Sequence, residues 1–194
     1  MLNKIIQHKP SRFDMAINFY CCIEKDNKYY LVAYYYNPNW NLYYPFYDDV
    51  NKTVDNFKKS IRKNTKLCVV TSVSNVFGHA LPLKDLSEIA HDNGAYFFVD
   101  GAQGAGVVSI DMKAQGIDCL CIPGHKGLLG PMGTGAILHK NLPFNTLVEG
   151  GTGTNSLELH QPEQYPERLE SGTLNLPGMN TVLKTTTLAL QQEK

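Results

Sequence analysis

The sequence predicts an α/β protein in which a β-rich segment precedes a mainly parallel sheet covered by helices. After residue 66, short apolar runs alternate with a helical pattern, and strand–helix–strand alternation produces parallel strands. All 16 glycines lie at Gly78 or later, whereas nine of the 11 tyrosines lie between Tyr20 and Tyr47. Aromatic runs bounded by turns are typical of strands, so the two parts of the chain have different character.

The first part is predicted to be rich in β structure. Residues 16–24 and 29–36 predict two strands joined by a short polar turn, and residues 40–47 follow a second turn. Residues 54–61 predict a short helix with one apolar face. The strand order faintly resembles the start of a Nudix-type domain. Because the glutamate-rich metal box of such domains is not found here, no activity is assigned to residues 1–62.

The second part, residues 63–194, is predicted to form the parallel sheet. Short apolar runs predict four strands, at residues 67–71, 95–99, 117–122 and 135–139. Between the first two, residues 83–93 predict an amphipathic helix that ends at Gly94. Ligands of such sheets bind at the carboxyl ends of the strands, so those ends are where functional residues are expected.

Charge and hydropathy exclude some classes of partner. Lysine plus arginine equals aspartate plus glutamate, 18 each, with an excess of four basic residues in 1–65 and four acidic residues in 66–194. This balance gives no overall attraction to nucleic acid or to an acidic membrane surface. No apolar run reaches the ~20 residues of a membrane-spanning helix. We therefore expect neither a nucleic-acid partner nor a membrane partner.

The five cysteines predict a reducing environment. Their odd number, with no C-x-x-C pair, argues against a disulfide framework and against a zinc site, so no metal site is expected. Cys119 and Cys121 alternate in an apolar run and are interpreted as buried strand residues. Residues 1–10 contain no continuous apolar stretch of the secretory kind. A cytoplasmic location is the resulting expectation.

Three predicted strand ends are followed by residues suited to pyridoxal 5′-phosphate (PLP) chemistry. The clusters are Ser-Asn-Val-Phe-Gly at 74–78, Asp-Gly-Ala-Gln at 100–103, and a His-Lys pair within the glycine-rich residues 124–135. PLP needs a lysine for its aldehyde and an acid that keeps its pyridine nitrogen protonated. Glycines let the backbone approach a flat ring and a phosphate.

The order of these clusters resembles the class V aminotransferase family, and its cysteine desulfurase-like branch most of all. Glu-Gly-Gly-Thr-Gly at 149–153 and Arg-Leu-Glu-Ser-Gly-Thr-Leu-Asn at 168–175 extend the resemblance, which covers roughly residues 63–182. It implies part of the large domain of fold type I PLP enzymes. It also implies a PLP-dependent homodimer acting on an L-cysteine-like amino acid, by C–S cleavage or amino-group chemistry.

The resemblance implies roles for three residues at the cofactor ring. Lys126 would be the Schiff-base lysine, Asp100 would pair with the pyridinium nitrogen, and Gln103 would donate to the phenolic oxygen. On the residues alone, Asp100 followed by glycine also suits a simple turn, and Lys126 also suits a solvated loop. The presence of all three in family order favours the functional interpretation.

Three further residues receive roles from the same resemblance. Asn75 would contact the cofactor or the substrate carboxylate, and an Asn-to-backbone hydrogen bond is an equal alternative. His125 would hold the phosphate, with a core histidine as its alternative. Thr152 would reach the phosphate of the neighbouring subunit's cofactor, which is the reason to expect a dimer; on sequence alone it is a loop residue.

Several features depart from the family pattern. Ser72 occupies a position where the family often has histidine, Pro123 one where a hydroxyl is usual, and Gly104 one where a larger residue is usual. Family members run to about twice this length, and none of the five cysteines lies where desulfurases carry their nucleophile. The rival hypothesis is a non-catalytic truncated or fused remnant, or an interaction module, that keeps the fold without turnover.

Overall fold

A computed structural model of the chain describes residues 17–25, 28–35, 50–75, 78–146, 148–151 and 157–192. Six strands form one sheet: β1 (Ile17–Lys25), β2 (Lys28–Tyr35), β3 (Thr65–Thr71), β4 (Tyr96–Asp100), β5 (Cys119–Pro123) and β6 (Gly135–His139). The helices are α1 (Val50–Ser60), α2 (Leu83–Asp92) and α3 (Leu176–Gln192), with a 3₁₀ turn at Glu167–Leu169. The predicted turn at 37–39 and the apolar residues 40–47 lie outside the described residues.

The sheet is mixed, with a parallel centre. Its strand order is β2-β1-β3-β4-β5-β6, and β4 pairs in parallel with β3 on one side and β5 on the other. The other pairings, β1 with β2, β1 with β3 and β5 with β6, are antiparallel. The α/β class is confirmed, with more antiparallel pairing than expected. A short loop can join strands only in antiparallel fashion, whereas the crossover through α2 makes β3 and β4 parallel.

The amino-terminal hairpin belongs to the same sheet as the parallel strands. β1 lies between β2 and β3, with Cys21 opposite Cys68 in the antiparallel register. The backbone hydrogen bonds of the sheet therefore continue from the tyrosine-rich segment into the second part of the chain. The division into segments 1–62 and 63–194 stays a prediction.

A single apolar core fastens α1 and α2 to the sheet. Phe97 of β4 is fully buried, and its ring meets that of Phe57 of α1 edge-on, with centroids 6.4 Å apart. Leu86 of α2 is also fully buried, as is Ile117 before β5. Burying large apolar side chains from each element removes apolar surface from water and sets the positions of the strand ends.

Helix α2 ends at Asp92, one residue before the predicted end, and is stopped at Gly94 as predicted. Gly94 has φ +70°, its N–H donates to His91 O at 2.9 Å, and the Ala95 N–H donates to Ala90 O at 3.0 Å. This pair of bonds is a Schellman motif, in which glycine takes the left-handed position without steric cost. The chain thereby turns directly from α2 into β4.

Helix α3 packs on the glycine-rich loop that follows β5. Thr185 Oγ1 lies 2.8 Å from Leu128 O, and Val182 lies against Gly124 and Gly130. On another side of the helix, Leu176 and Leu183 are about two-thirds exposed. None of the described helices has the length and apolar character needed to cross a bilayer.

We expect Gly94→Ala to lower the free energy of unfolding by about 1–2 kcal/mol, the cost of a left-handed L-residue. A Cβ at Gly94 meets nothing within 4 Å, so the loss would come from backbone strain alone. Gly94→Asn should cost less, because asparagine tolerates this conformation better. Chemical denaturation measures both variants, and an equal loss for Ala and Asn would contradict this account.

Candidate active site

Asp100, the last residue of β4, is held at both its backbone and its side chain. Its carbonyl oxygen accepts from Ser72 N at 2.8 Å and from Ser72 Oγ at 3.1 Å. Its Oδ1 accepts from Ala102 N at 2.8 Å. The Asp100 side chain is otherwise exposed, so an oriented carboxylate faces solvent at the carboxyl end of the central parallel strand.

Gln103 lies in the turn that follows Asp100. The turn is closed by Gly101 O, which accepts from Gly104 N at 3.1 Å and from Ala105 N at 2.9 Å. Gly101 N in turn donates to Cys121 O at 2.8 Å, which ties the start of the turn to β5. The half-buried Gln103 is thus part of a compact turn fixed to both neighbouring strands.

His125 and Lys126 lie in the loop immediately after β5. Leu129 N donates to Lys126 O at 2.8 Å, and Gly130 N donates to Gly124 O at 2.7 Å. These bonds curl the backbone into a tight loop, and both predicted site residues are exposed on it. Because β4 and β5 are parallel neighbours, Asp100 and Lys126 follow adjacent strand ends.

Glycines bring the loops after β4 and β5 into backbone contact. A Cβ on Gly127 would overlap Ala105 O, and a Cβ on Gly106 would lie 2.5 Å from Gly127 O. Neither approach is compatible with a side chain at these positions. The turn that carries Gln103 therefore packs directly against the loop that carries Lys126.

Asn75 follows the carboxyl end of β3. Ser74 N donates to His79 O, and Gly78 N donates to Ser74 O, both at 2.9 Å. Asn75 is exposed in this turn. The strand ends that precede Asn75, Asp100 and Lys126 thus share one edge of the sheet, as predicted from the order of the motifs, while the roles of the three side chains stay predictions.

Cys121 differs from its sequence interpretation. Cys119 is buried as expected, but Cys121 is exposed, so the interpretation as a buried strand residue is wrong for Cys121. Cys121 pairs in register with Asp100 across the parallel strands. A hydrogen bond from the Cys119 thiol lowers the pKa of Cys121 to about 7, although burial and the Asp100 charge act in the opposite direction. The same interaction, with burial, raises the pKa of Cys119.

The glycine stretch after Glu149 is anchored at its start. Glu149 accepts from Thr146 Oγ1 at 2.6 Å and contacts His160 Nδ1 at 2.7 Å. Hydrogen bonding from Thr146 and then His160 lowers the pKa of Glu149. Gly172 N donates to Gly150 O at 3.0 Å, which joins the two later motifs. Thr152 lies outside the described residues.

Arg168 of the last motif has a backbone partner. Its Nε donates to Phe144 O at 2.8 Å, and the Tyr165 hydroxyl donates to Leu142 O at 2.9 Å. Both contacts hold the segment after β6. Among the described residues, no group of three or more His, Cys, Asp or Glu is placed to hold a metal ion.

The aminotransferase class-V sequence profile matches residues 41–192. The chain belongs to that family. Members of that family are PLP-dependent enzymes. The match begins before residue 63, where the motif resemblance starts, so it includes α1 and part of the first segment.

Several proteins to which this chain is similar are named cysteine desulfurases. A probable cysteine desulfurase of Methanothermobacter thermautotrophicus is 38% identical over 125 residues, which are 61% of this chain and 31% of the relative. One from Halalkalibacterium halodurans is 34% identical over 70% of this chain and 34% of its own length. The apo cysteine desulfurase of Thermococcus onnurineus aligns with TM-score 0.59 and 32% identity, over 71% of this chain and 36% of that one. The chain thus spans about a third of the length of the relatives it matches.

Two structural features of the site were not predicted from the sequence. Ser72 and Gly104 were noted only as departures from the family, yet Ser72 bonds to Asp100 and Gly104 packs on Ser72. The sequence interpretation places Cys121 in the core, whereas the parallel register pairs it with Asp100. The available signal was the alternation of side chains along each strand. Once the register of β4 with β5 is known, this alternation puts Asp100 and Cys121 on the same side of the sheet.

We expect Cys121 to react with iodoacetamide with half-maximal rate near pH 7, because the thiolate is the nucleophile and its fraction rises through the pKa. Buried Cys119 should stay unmodified. Cys119→Ala should move the midpoint toward the ordinary value of 9.0, whereas Cys119→Ser keeps a hydrogen-bond donor and should move it less. Peptide mass spectrometry measures the labelling, and a Cys121 midpoint near pH 9 in the unaltered chain would contradict the expectation.

Proposed function

We propose that this chain binds PLP at the shared carboxyl edge of β3, β4 and β5 and contributes the core of a cysteine desulfurase-type active site. The observation that carries the proposal is the contact between the Gln103 turn and the Lys126 loop, beside the end of the strand that presents Asp100. The residues on these two loops and at this strand end supply an amide, an amine and a carboxylate. In open α/β sheets such an edge is the usual place for a ligand.

The residues present suit PLP in their chemistry. Lys126 is an exposed amine that can attach to an aldehyde, and Asp100 is an exposed carboxylate with one oxygen already oriented by Ala102 N. Gln103 supplies a neutral donor. Because Gly106 and Gly127 leave no room for side chains between the two loops, the backbone itself forms the wall of the site.

PLP supplies an aldehyde for attachment of an amine and a pyridinium ring that takes up an electron pair. Asp100 would hold the proton on the ring nitrogen, and Gln103 would donate to the phenolic oxygen. The Lys126 amine would hold the cofactor at rest and would take and return the proton at the substrate α-carbon. His125 and Asn75 would contact the phosphate and the substrate or ring.

The substrate and assembly follow from the same proposal. The matched relatives are named cysteine desulfurases, which supports an L-cysteine-like amino acid as substrate. We propose a homodimer in which Thr152 reaches the partner's cofactor phosphate. We also propose a cytoplasmic location, because an odd number of cysteines with no C-x-x-C pair suits a reducing compartment.

A second candidate function is an interaction module that keeps the fold without turnover. It is favoured by the large apolar side chains that β6 and α3 present to solvent, among them Ile137, Leu138, Leu176 and Leu183. Large exposed apolar patches often mark protein-binding surfaces. The two functions differ in colour: a PLP-bound chain absorbs in the visible range near ~420 nm, and a chain without the cofactor does not.

We expect borohydride reduction of the PLP-loaded chain to leave the cofactor covalently on Lys126. The adduct should vanish in Lys126→Ala and persist in Lys113→Ala, which removes an exposed lysine from another loop. Peptide mapping by mass spectrometry locates the adduct. Modification of a different lysine, or no adduct at saturating PLP, would refute the proposed attachment.

We expect Asp100→Asn to change the chemistry far more than the stability. The amide keeps an oxygen for Ala102 N but cannot supply the charge that holds a proton on the ring nitrogen. Turnover of cysteine should fall on the order of 100- to 1,000-fold, as for loss of other electrostatic contacts to a developing charge. The free energy of unfolding without PLP should stay within about 0.5 kcal/mol, because Asp100 is exposed.

The control is Asp92→Asn, which changes an exposed acid at the end of α2. It should leave both the turnover of cysteine and the free energy of unfolding unchanged. Where cysteine turnover is too slow to measure, the protonation of the bound ring, followed by absorbance against pH, gives the same comparison. Unchanged turnover and an unchanged ring titration in Asp100→Asn would contradict the role of Asp100.

A further inference from the structure

Ser72 fixes the end of β4 from the end of β3. It is almost completely buried, with 1% of its surface exposed. Its N–H and its hydroxyl both donate to Asp100 O, at 2.8 and 3.1 Å. A carbonyl oxygen has two lone pairs, so this one residue satisfies the hydrogen-bonding capacity of the Asp100 carbonyl. The position of the Asp100 backbone therefore depends directly on Ser72.

Gly104 rests on the same hydroxyl from the other side. A Cβ on Gly104 would overlap Ser72 Oγ and would lie 3.0 Å from Ser72 Cβ and 3.1 Å from Ile110 Cδ1. The φ of Gly104 is not in the left-handed region, so an L-residue would fit its backbone conformation. Space, rather than conformational freedom, is what requires glycine at Gly104.

Backbone hydrogen bonds join Gly104 and Gln103 in one compact turn. Gly104 N donates to Gly101 O at 3.1 Å, and Gly104 O accepts from Val107 N and Val108 N, each at 2.9 Å. A displacement of Gly104 away from Ser72 would therefore carry the adjacent Gln103 with it. The Ser72 side chain acts as a spacer between the Asp100 carbonyl and this turn.

We infer that Ser72 and Gly104 are a matched pair of positioning residues that sets the separation of Asp100 from Gln103. The inference rests on the proposed function, in which Asp100 and Gln103 contact two fixed positions of one rigid PLP ring, the ring nitrogen and the phenolic oxygen. Neither Ser72 nor Gly104 has to touch the cofactor. In this structure, a Cβ added at Gly104 has room only when the Ser72 side chain is removed.

The test compares four variants of the full 194-residue chain: Gly104→Ala, Ser72→Gly, Ser72→Ala and the double variant Ser72→Gly/Gly104→Ala. PLP affinity is measured by titration of the visible band, and the pH midpoint of that band reports on the donor at the phenolic oxygen. Thermal unfolding of each PLP-free chain is measured separately. All titrations are made well below the lowest unfolding temperature.

We expect Gly104→Ala to weaken PLP affinity by roughly 10- to 100-fold, the scale of forcing an extra methyl group into a packed contact. Ser72→Gly should weaken it about fivefold, the scale of one lost hydrogen bond. The PLP affinity of the double variant should be close to that of Ser72→Gly, and not reduced by the product of the two single losses. The reason is that removing the Ser72 side chain relieves its overlap with the Cβ added at Gly104. Ser72→Ala removes only the hydroxyl, and should move the pH midpoint upward because weaker donation leaves more charge on the phenolic oxygen.

The inference is wrong if the loss of PLP affinity in the double variant equals the product of the two single losses. It is also wrong if the pH midpoint is unchanged in all four variants. A lowered unfolding temperature with wild-type affinity and pH midpoint would show a purely structural role and would also overturn it. If Gly104→Ala does not fold, Ser72→Ala decides through the pH midpoint alone. If the unaltered chain does not bind PLP, both the proposed function and the positioning role of Ser72 and Gly104 are wrong. If it binds PLP but the effects of the Ser72 and Gly104 substitutions on affinity are independent, only the positioning role is wrong.

Discussion

The parallel pairing of β4 with β3 and β5 is the constraint on which the candidate site depends. It brings three strand ends to one edge, so that residues separated by about 25 positions in the chain become neighbours. The core around Phe97 and Leu86 holds this register by burying α1 and α2 against the sheet. Short loops could not have produced the same edge, because parallel strands require a crossover such as the one through α2.

Local sequence signals predicted most elements of the second part. The strand at 135–139 was placed at its observed bounds, the helix at 83–93 ends one residue earlier in the structure, and the strand predicted at 117–122 is displaced by one or two residues. These elements have apolar periodicity and end at residues with strong conformational preferences, such as Gly94. Both are properties of a few neighbouring residues, which is why they can be identified without the fold.

Non-local pairing could not be predicted in the same way. That β1 joins the sheet beside β3 depends on which strand edge is available, and that Cys121 lies opposite Asp100 depends on register. Motif order predicted candidate site residues, but it did not predict the glycine contact between Gly127 and Ala105 that joins the two loops. The order of motifs predicts which strand ends carry the candidate residues. The distance between the loops that carry them depends on backbone packing, which the sequence does not reveal.

The loop that carries Lys126 is supported from outside the sheet as well as from inside. Val182 and Thr185 of α3 contact its glycines and Leu128, while Leu183 on the same helix is two-thirds exposed. A helix with apolar residues on several sides is usually buried on more than one of them. The loop of Lys126 is therefore packed against two elements, the turn after β4 and helix α3, whereas the Asp100 backbone is held by Ser72 within the sheet.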